Sequence, residues 1–143
     1  MLNTSDINRT LKRVKGFRGV FPKSDLPVYL LPKPSSIVVN LDERWKTGSH
    51  WVAIYFPERG PSFYFDSFGR PPPEEILAII ERNSKEGWTF NTIKIQGDLS
   101  TLCGYYCVSF IQSLPDYKKF LGKFSHCSIE NDLKFVNSLS SGN

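Results

Sequence analysis

The sequence predicts an α+β domain in which a small central sheet, mixed or antiparallel, is flanked by helices. Three observations support this prediction. Segments with strand-like alternation lie together in the middle of the chain, segments with helical spacing lie before and after them, and 143 residues is the length of one domain with a sizeable core. We therefore interpret residues 1–143 as a single domain, since the chain contains no repeat and no domain-scale linker.

The chain begins with a predicted helix. Residues 4–15, TSDINRTLKRVK, start with residues that favour helix caps and place Ile7, Leu11 and Val14 at helical spacing. Two glycines, at 16 and 19, end this pattern. The proline-containing stretch 21–36 then predicts an irregular but packed connector.

Strand patterns follow in the middle of the chain. SIVVNL, at 36–41, predicts a short buried strand. HWVAIYF at 50–56 and SFYFDSF at 62–68 flank the turn-forming PERGP, which predicts a β-hairpin. FNTIKIQ, at 90–96, alternates and predicts one more strand.

Helical patterns make up the rest. The segment from Pro73 to residue 87 has its proline near the first turn and three isoleucines, at 76, 79 and 80, on one face. A helix that is apolar nearly all round follows Cys103 and stops at Pro115, so we expect it to be buried. Residues 116–124 and 128–139 predict two amphipathic helices.

Charge is concentrated at the N-terminus. Residues 1–23 carry six basic and one acidic side chain, a net charge of +5, whereas the other 120 residues carry twelve basic and thirteen acidic, a net charge of −1. The segment 9–23 is therefore a candidate for binding DNA or an acidic partner. A solvated helix face is the simpler explanation.

Composition excludes several classes of protein. No apolar run approaches the roughly 18 residues that span a bilayer, and the start, MLNTSDINRT, lacks the pattern of a secretory signal. Three cysteines without framework spacing favour a reducing compartment. We therefore expect a soluble intracellular protein with no membrane partner.

Cys103, in QGDLSTLCGYYC at 96–107, is the candidate nucleophile. Thiolate is the reactive form of cysteine, and a helix N-terminus or a neighbouring imidazolium favours it. The cap-type residues Ser100 and Thr101 place Cys103 at the start of its helix. Gly104 would let a substrate backbone approach closely.

The chain has two histidines, His50 and His126, and His50 is the better candidate for the base because a strand would hold it firmly. Pairing around the turn at 57–61 would place Val52 opposite Asp66. His50 and Asp66 are then diagonal neighbours on one face, about 7–8 Å apart at their backbones. A slip of one residue would turn Asp66 to the other face.

Gln96 is the candidate oxyanion donor. It precedes the loop before Cys103, and its side-chain amide could act together with the backbone N–H of Cys103. Cys103, His50, Asp66 and Gln96 then supply the nucleophile, the base, the group that orients the base and the oxyanion donor of acyl transfer.

Each residue also has a structural explanation. A cysteine that opens an apolar helix is more often a core residue, and an Asp before Ser-Phe-Gly can serve a turn. Zinc is a further alternative, with His126 or His50 beside the three cysteines, but the spacing lacks the usual ligand pairs. We interpret Cys107, one turn after Cys103, as a packing residue.

Taken together, the residues resemble the adenain-type cysteine proteases and, more broadly, the proteases that process ubiquitin-like proteins. The resemblance rests on VVNLDERWKTGSHW at 38–51, FYFDSFG at 63–69 and IQGDLSTLCGYYC at 95–107, in the family's order of His, acid, Gln and Cys. It covers roughly residues 16–112. The acid is Asp, as in the ubiquitin-like-protein branch, whereas adenain has Glu.

The resemblance implies an adenain-like fold with its catalytic core at 36–112. It implies that His50, Asp66, Gln96 and Cys103 are catalytic, that Trp51 packs beside the histidine, and that Trp51 and Gly104 contribute to substrate binding. The implied activity is that of a cysteine endopeptidase, monomeric and without cofactor or metal, that cleaves viral capsid or core precursors after small residues such as glycine. Activation by a peptide or DNA, and location in the host nucleus, the cytoplasm or the virion, belong to the same expectation. The alternatives are a protease that removes ubiquitin-like tags, and a non-catalytic module that binds capsid or nucleic acid.

Overall fold

The fold is built on one five-stranded sheet. The computed structural model describes residues 2–42, 50–97 and 101–141, with side chains through residue 136. The strands are β1 (Phe17–Pro22), β2 (Ser35–Asn40), β3 (Trp51–Phe56), β4 (Ser62–Phe65) and β5 (Trp88–Phe90), and they lie in the sheet in chain order. The β2–β3 and β3–β4 pairs are antiparallel, whereas β1–β2 and β4–β5 are parallel. The predicted α+β class with a mixed central sheet is confirmed.

Helices pack on both faces of the sheet. They are α1 (Thr4–Leu11), α2 (Glu74–Arg82), α3 (Cys103–Ser113), α4 (Tyr117–Leu121) and α5 (Ser128–Ser141). Alternate residues of β3 enter two separate cores. Trp51, Ala53 and Tyr55 share a core with buried residues of α1 and α3, whereas Val52, Ile54 and Phe56 share the other with α2. The central strand is therefore buried on both faces.

The three isoleucines of α2 confirm the predicted amphipathic helix. Ile76, Ile79 and Ile80 are almost completely buried, and burial of each contributes about 1.5–3 kcal/mol. The helix follows Pro73, which occupies the N-cap position.

In the described part of the chain, no helix is both long enough and apolar enough to cross a bilayer.

The first helix is shorter than its pattern predicted. It ends at Leu11, so the predicted span 4–15 is too long, although Ile7 and Leu11 are buried as expected. Its cap is Asn3, whose side chain accepts the backbone N–H of Asp6, while the Asp6 carboxylate accepts the N–H of Asn3. This reciprocal arrangement satisfies amide groups that the helix itself leaves unpaired.

The predicted irregular connector at 21–36 is confirmed for residues 23–34, but the strand β1 before it was not predicted. Phe17–Pro22 pairs with β2. Gly16 has φ +81°, and a Cβ there would lie 2.6 Å from the carbonyl oxygen of Pro34. The glycine therefore permits a close approach of two chain segments, which a helix-breaking pattern does not reveal.

The strand predicted at 90–96 is also wrong. β5 is Trp88–Phe90, and residues 91–97 are irregular. The side chain of Asn91 accepts the backbone N–H of Asp66 at 3.0 Å and donates to the Asp66 carbonyl at 2.6 Å. The Asn91 side chain thus forms hydrogen bonds with the N–H and C=O of Asp66, the groups with which a longer β5 would have to pair.

Candidate active site

The strands β3 and β4 bring His50 and Asp66 together at one end of the sheet. Ala53 pairs with Phe65 in the ladder, and continuing this register by one residue places Val52 opposite Asp66. Nε2 of His50 lies 2.9 Å from Oδ1 of Asp66. The register predicted from the turn and the contact predicted from the register are both confirmed.

Asp66 is held from several directions. Its side chain is 3% exposed, and its Oδ1 also accepts the backbone N–H of Phe68 at 2.8 Å. The Asn91 side chain fixes its backbone, as described above. Gly69 closes the turn with φ +72°, and its N–H donates to the carbonyl of Asp66 at 2.7 Å. The carboxylate therefore has a fixed orientation before any substrate binds.

The imidazole of His50 is partly buried, with 17% of the side chain exposed. The ring of Phe68 packs against it, with 5.0 Å between centroids. Burial favours the neutral ring and lowers the pKa, but hydrogen bonds to Asp66 and Cys103, together with the negative charges of both groups, raise the pKa of His50 to about 9. The charged imidazolium is therefore the favoured form at neutral pH.

The two ring nitrogens of His50 have different environments. A carboxylate only accepts hydrogen bonds, so Nε2 carries the proton that is shared with Asp66. Nδ1 is buried and makes no hydrogen bond of ordinary geometry to a described residue. It is the nitrogen that remains for the thiol of Cys103, whose hydrogen bond with the imidazole contributes to the raised pKa. Such contacts are often long in the absence of substrate.

Cys103 is the first residue of α3 and is 3% exposed. The N-cap position belongs to Leu102 and has no side-chain cap, so Thr101 does not have the predicted capping role, and Ser100 lies outside the described residues. The predicted placement of Cys103 at a helix N-terminus is confirmed, and the helix dipole there favours negative charge.

Trp51 and Gly104 lie beside the nucleophile. A Cβ on Gly104 would lie 3.3 Å from Leu2 and 3.4 Å from the indole of Trp51. The missing side chain thus lets Trp51 and the N-terminal segment pack closely against the start of α3. A role of either residue in contacting substrate stays a prediction.

Gln96 is completely buried, and Ser67 holds it in place. The Ser67 hydroxyl donates to the Gln96 side-chain carbonyl, which leaves the NH₂ end of the amide as the donor. The Ser67 backbone carbonyl accepts the N–H groups of both Ile95 and Gln96, at 2.9 and 3.0 Å. Ser67 is the residue after Asp66, so one turn orients both the acid and the predicted oxyanion donor.

The chain is similar in sequence to proteases of two groups of viruses. The chain is 29% identical to the protease of Bovine adenovirus 2 over 115 residues and 30% identical to the protease of Fowl adenovirus A serotype 1 over 117 residues, and each match covers 71% of this chain and 56% of the relative. It is 30% identical over 95 residues to an African swine fever virus protein named SUMO-1 cysteine protease, which covers 55% of this chain and 33% of the relative. No family model matches.

Two crystal structures of the African swine fever virus protease have similar folds. One matches with a TM-score of 0.53 at 27% identity, over 73% of this chain and 44% of that one. The other has a TM-score of 0.63 over 94% of this chain and 65% of that one, and at 20% identity it shows the fold alone. In sequence and in fold, the chain is thus similar to the adenain-like cysteine proteases.

This adenain-like chain spans about half the length of the adenovirus relatives and a third of the African swine fever virus relative that it matches. The shared region has the mixed sheet with flanking helices that the resemblance implied.

The remaining cysteines and the second histidine lie elsewhere. Cys107 is completely buried in the core, and burial raises the pKa of its thiol. Cys127 and His126 are exposed before α5. Within residues 2–42, 50–97 and 101–141, no group of three or more His, Cys, Asp or Glu side chains is placed to hold a metal ion.

Sequence reasoning missed Ser67, Phe68 and Asn91. Each acts through the turn after β4, in the stretch FDSFG and its contact with residue 91. For Ser67 and Phe68 the sequence offered a signal, since both directly follow the predicted acid Asp66. For Asn91 there was no signal, because its contact with Asp66 joins positions 25 residues apart.

Proposed function

We propose that this chain is a cysteine endopeptidase in which Cys103 attacks the carbonyl carbon of a peptide bond. The observation that carries the proposal is that one imidazole, that of His50, is bonded to Asp66 at 2.9 Å and also interacts with the thiol of Cys103. A cysteine beside an imidazolium at a helix N-terminus is present as a strong nucleophile near neutral pH.

Each described group has one task in the reaction. The Cys103 thiolate forms a bond to the carbonyl carbon, and the carbonyl oxygen becomes an oxyanion that accepts hydrogen bonds from the Gln96 side-chain amide and the Cys103 backbone N–H. Such a donor contributes about 2.7–4 kcal/mol of transition-state stabilisation. The oxyanion then re-forms the carbonyl while the carbon–nitrogen bond breaks, and the His50 imidazolium gives its proton to the departing amine. Water, deprotonated by the now neutral imidazole, adds to the thioester, and the carbon–sulfur bond breaks to restore the thiolate and the imidazolium.

Asp66 acts on the imidazole and not on the substrate. Its hydrogen bond keeps the proton on Nε2 and aims Nδ1 at the sulfur, and its charge favours the imidazolium. Protein side chains and water supply all the groups in this mechanism, so we propose that no cofactor is required.

The proposed substrates are polypeptides with a small residue, glycine above all, just before the cleaved bond. The family supports capsid or core precursors of a virus or virus-like element as natural targets, in the host nucleus or cytoplasm or inside the virion. A second candidate is the removal of ubiquitin-like tags, which the name of the African swine fever virus relative favours. Turnover of a tagged model protein, compared with turnover of a glycine-rich peptide, distinguishes the two.

DNA is a proposed activator. Arg9, Lys12 and Arg18 line one shallow surface groove with Asn8, Phe17 and Gly19. Phosphate binding by such a cluster weakens steeply between about 50 and 200 mM salt. Peptide turnover with and without duplex DNA at both salt concentrations tests this proposal, and salt-dependent DNA binding by a chain that cleaves no peptide would favour the non-catalytic module instead.

Site-resolved alkylation tests the central proposal. The native protein is treated with limiting iodoacetamide from pH 5 to 9, and adducts are mapped by mass spectrometry in wild type, His50→Ala and the matched control His126→Ala. We expect Cys103 to react well below pH 8 in wild type and in His126→Ala, and to lose this reactivity in His50→Ala. Labelling of Cys103 no faster than Cys127, or unaffected by loss of His50, would contradict the ion pair.

A further inference from the structure

The segment that carries Gln96 is hydrogen-bonded to the C-terminal helix by buried and partly buried polar groups that have no part in the mechanism above. Asp132, on α5, accepts the backbone N–H of Gly97 on Oδ2 at 3.0 Å and the Tyr106 hydroxyl on Oδ1 at 2.6 Å. Its neighbour Asn131 is completely buried and donates to the carbonyl of Ile95 at 3.1 Å. The peptide groups on both sides of Gln96 are therefore bonded to α5.

Tyr106 joins this network to the helix that carries the nucleophile. It lies one turn after Cys103, it is completely buried, and its hydroxyl is within 3.2 Å of the carbonyl of Ile95 and 2.6 Å of Asp132. Burial, and then the hydrogen bond and charge of Asp132, raise the pKa of the phenol, so the group stays protonated and donates. The helix that carries the nucleophile and the segment that carries Gln96 are thus both hydrogen-bonded to the Asp132 carboxylate.

The hydrogen bonds from α5 hold the residues on either side of Gln96, which lie outside any strand of the sheet. Residues 91–97 are irregular, and ordinary ladder bonds do not determine where the Gln96 amide points. A displacement of about 1 Å at a catalytic group costs up to 10²-fold in rate. Bonds at the carbonyl of residue 95 and the N–H of residue 97 limit rotation of the intervening residue, while Ser67 holds its side chain.

We propose that Asp132, acting with Tyr106, is a positioning residue that sets the oxyanion donor Gln96 relative to Cys103. This inference rests on the proposed function, since it gives Asp132 a role in the same reaction. It extends the working site beyond residue 112, where the family resemblance ends, to a helix near the end of the chain. A purely structural role of Asp132 in docking α5 is the alternative to exclude.

A double-mutant cycle distinguishes the two roles. Peptide turnover and iodoacetamide labelling of Cys103 are measured for wild type, Asp132→Ala, Gln96→Ala and the double variant. Alkylation builds no oxyanion, so it reports the ion pair alone. We expect Asp132→Ala to lower kcat at least about tenfold with little change in KM, to leave the labelling rate within twofold, and to add nothing once Gln96 is already alanine.

Three further variants separate positioning from stability. Phe135→Leu loosens the packing of α5 on Tyr106, since the rings of Phe135 and Tyr106 lie 4.4 Å apart, and it removes no hydrogen bond. Glu130→Gln removes a carboxylate from the same helix, one that accepts a hydrogen bond from the Ser125 hydroxyl. We expect both to keep wild-type kcat, whereas Tyr106→Phe should reproduce part of the Asp132→Ala loss. If Asp132→Ala does not fold, Asp132→Asn and Tyr106→Phe carry the test.

Three kinetic results would contradict the positioning role of Asp132. A loss of kcat by Asp132→Ala that persists undiminished in the Gln96→Ala background, or a parallel loss of labelling, would overturn the proposal, as would an equal loss in Phe135→Leu. The NMR signals of the Gln96 side-chain amide give a readout independent of turnover. We expect their shift to change in Asp132→Ala and not in Glu130→Gln. If wild type cleaves no peptide, the proposed function fails, and an amide signal unchanged by Asp132→Ala would overturn the positioning role separately.

Discussion

His50 and Asp66 lie at the ends of two directly paired strands, whereas Gln96 and Cys103 lie on an irregular segment and at the start of a helix. The first pair takes its position from a backbone ladder, in which each residue fixes the next. In the second pair, Cys103 takes its position from the first turn of α3, whereas the segment of Gln96 depends on individual side-chain bonds from Ser67, Tyr106 and Asp132. Ladders tolerate side-chain changes, and single bonds do not. Substitutions outside the catalytic residues should therefore damage the oxyanion half of the site more than the acid–base half.

The largest effect should come from loss of the nucleophile, the Cys103 sulfur, because the reaction cannot start without it. Replacing Cys103 with alanine removes the nucleophile, and we expect kcat to fall by about 10⁶-fold, as it does when a catalytic nucleophile is lost elsewhere. Thermal unfolding should change little, since a small buried side chain is exchanged for a slightly smaller one. Cys107→Ala is the matched control. Equal loss of activity in both variants would mean that the nucleophile is misassigned.

Asp66→Asn tests the acid–base half of the site. We expect kcat to fall by between about 10² and 10⁴-fold, because the imidazole loses the partner that fixes its tautomer. The imidazolium that protonates the leaving amine is lost as pH rises through the His50 pKa, which is about 9 in the wild type. Without the carboxylate this pKa falls, so the alkaline limb of the pH–rate profile should move to lower pH. An unmoved limb would show that another group titrates there.

Gln96→Ala tests the other half. Loss of one oxyanion donor should lower kcat by about 10²–10³-fold. The pH–rate profile and the labelling rate of Cys103 should not change, because the ion pair does not involve Gln96. Circular dichroism and thermal melting check the fold, and a variant that is unfolded at room temperature would make Gln96 a structural residue instead.

Ser67→Ala should have a smaller effect on the same step. The buried Gln96 carbonyl loses its hydroxyl partner, and we expect kcat to fall by about tenfold through imprecise placement of the amide. The loss should disappear when measured in the Gln96→Ala background. Ser84→Ala, which removes a hydroxyl bonded to Ser62 on β4, is a control that should leave kcat unchanged.

The smallest catalytic effect should come from a core residue of β3, the strand that positions His50 in the acid–base half. Ile54 is completely buried in β3, and Ile54→Val should cost about 0.5–1.5 kcal/mol of unfolding free energy. Because the ladder bonds remain, kcat should stay within twofold of wild type. Chemical denaturation and steady-state kinetics on one preparation measure both. A kcat loss as large as that of Ser67→Ala would erase the difference between the two halves.

Local pattern was enough for the elements that position the acid and the base. Aromatic and β-branched residues in 50–56 and alternation in 62–68, with a turn between them, determined the register and hence the contact of His50 with Asp66. The same kind of pattern misled at 90–96, where Asn91 bonds to Asp66 across the sheet and ends the strand early. The strand β1 was missed for a similar reason, because a contact between distant positions decides its place. It pairs with β2 where Gly16 lies against the backbone of Pro34.

The sequence by itself therefore determined the class of the fold, the β-hairpin register, the start of the helix at Cys103 and the four residues of the proposed mechanism. These follow from periodicity, turn chemistry and side-chain chemistry, which act over a few neighbouring residues. Only the tertiary structure decided how Gln96 is aimed and that Asp132 contacts its segment. Those contacts join residues 29 to 35 positions apart, and a single hydrogen bond between distant positions leaves no periodic trace in a sequence.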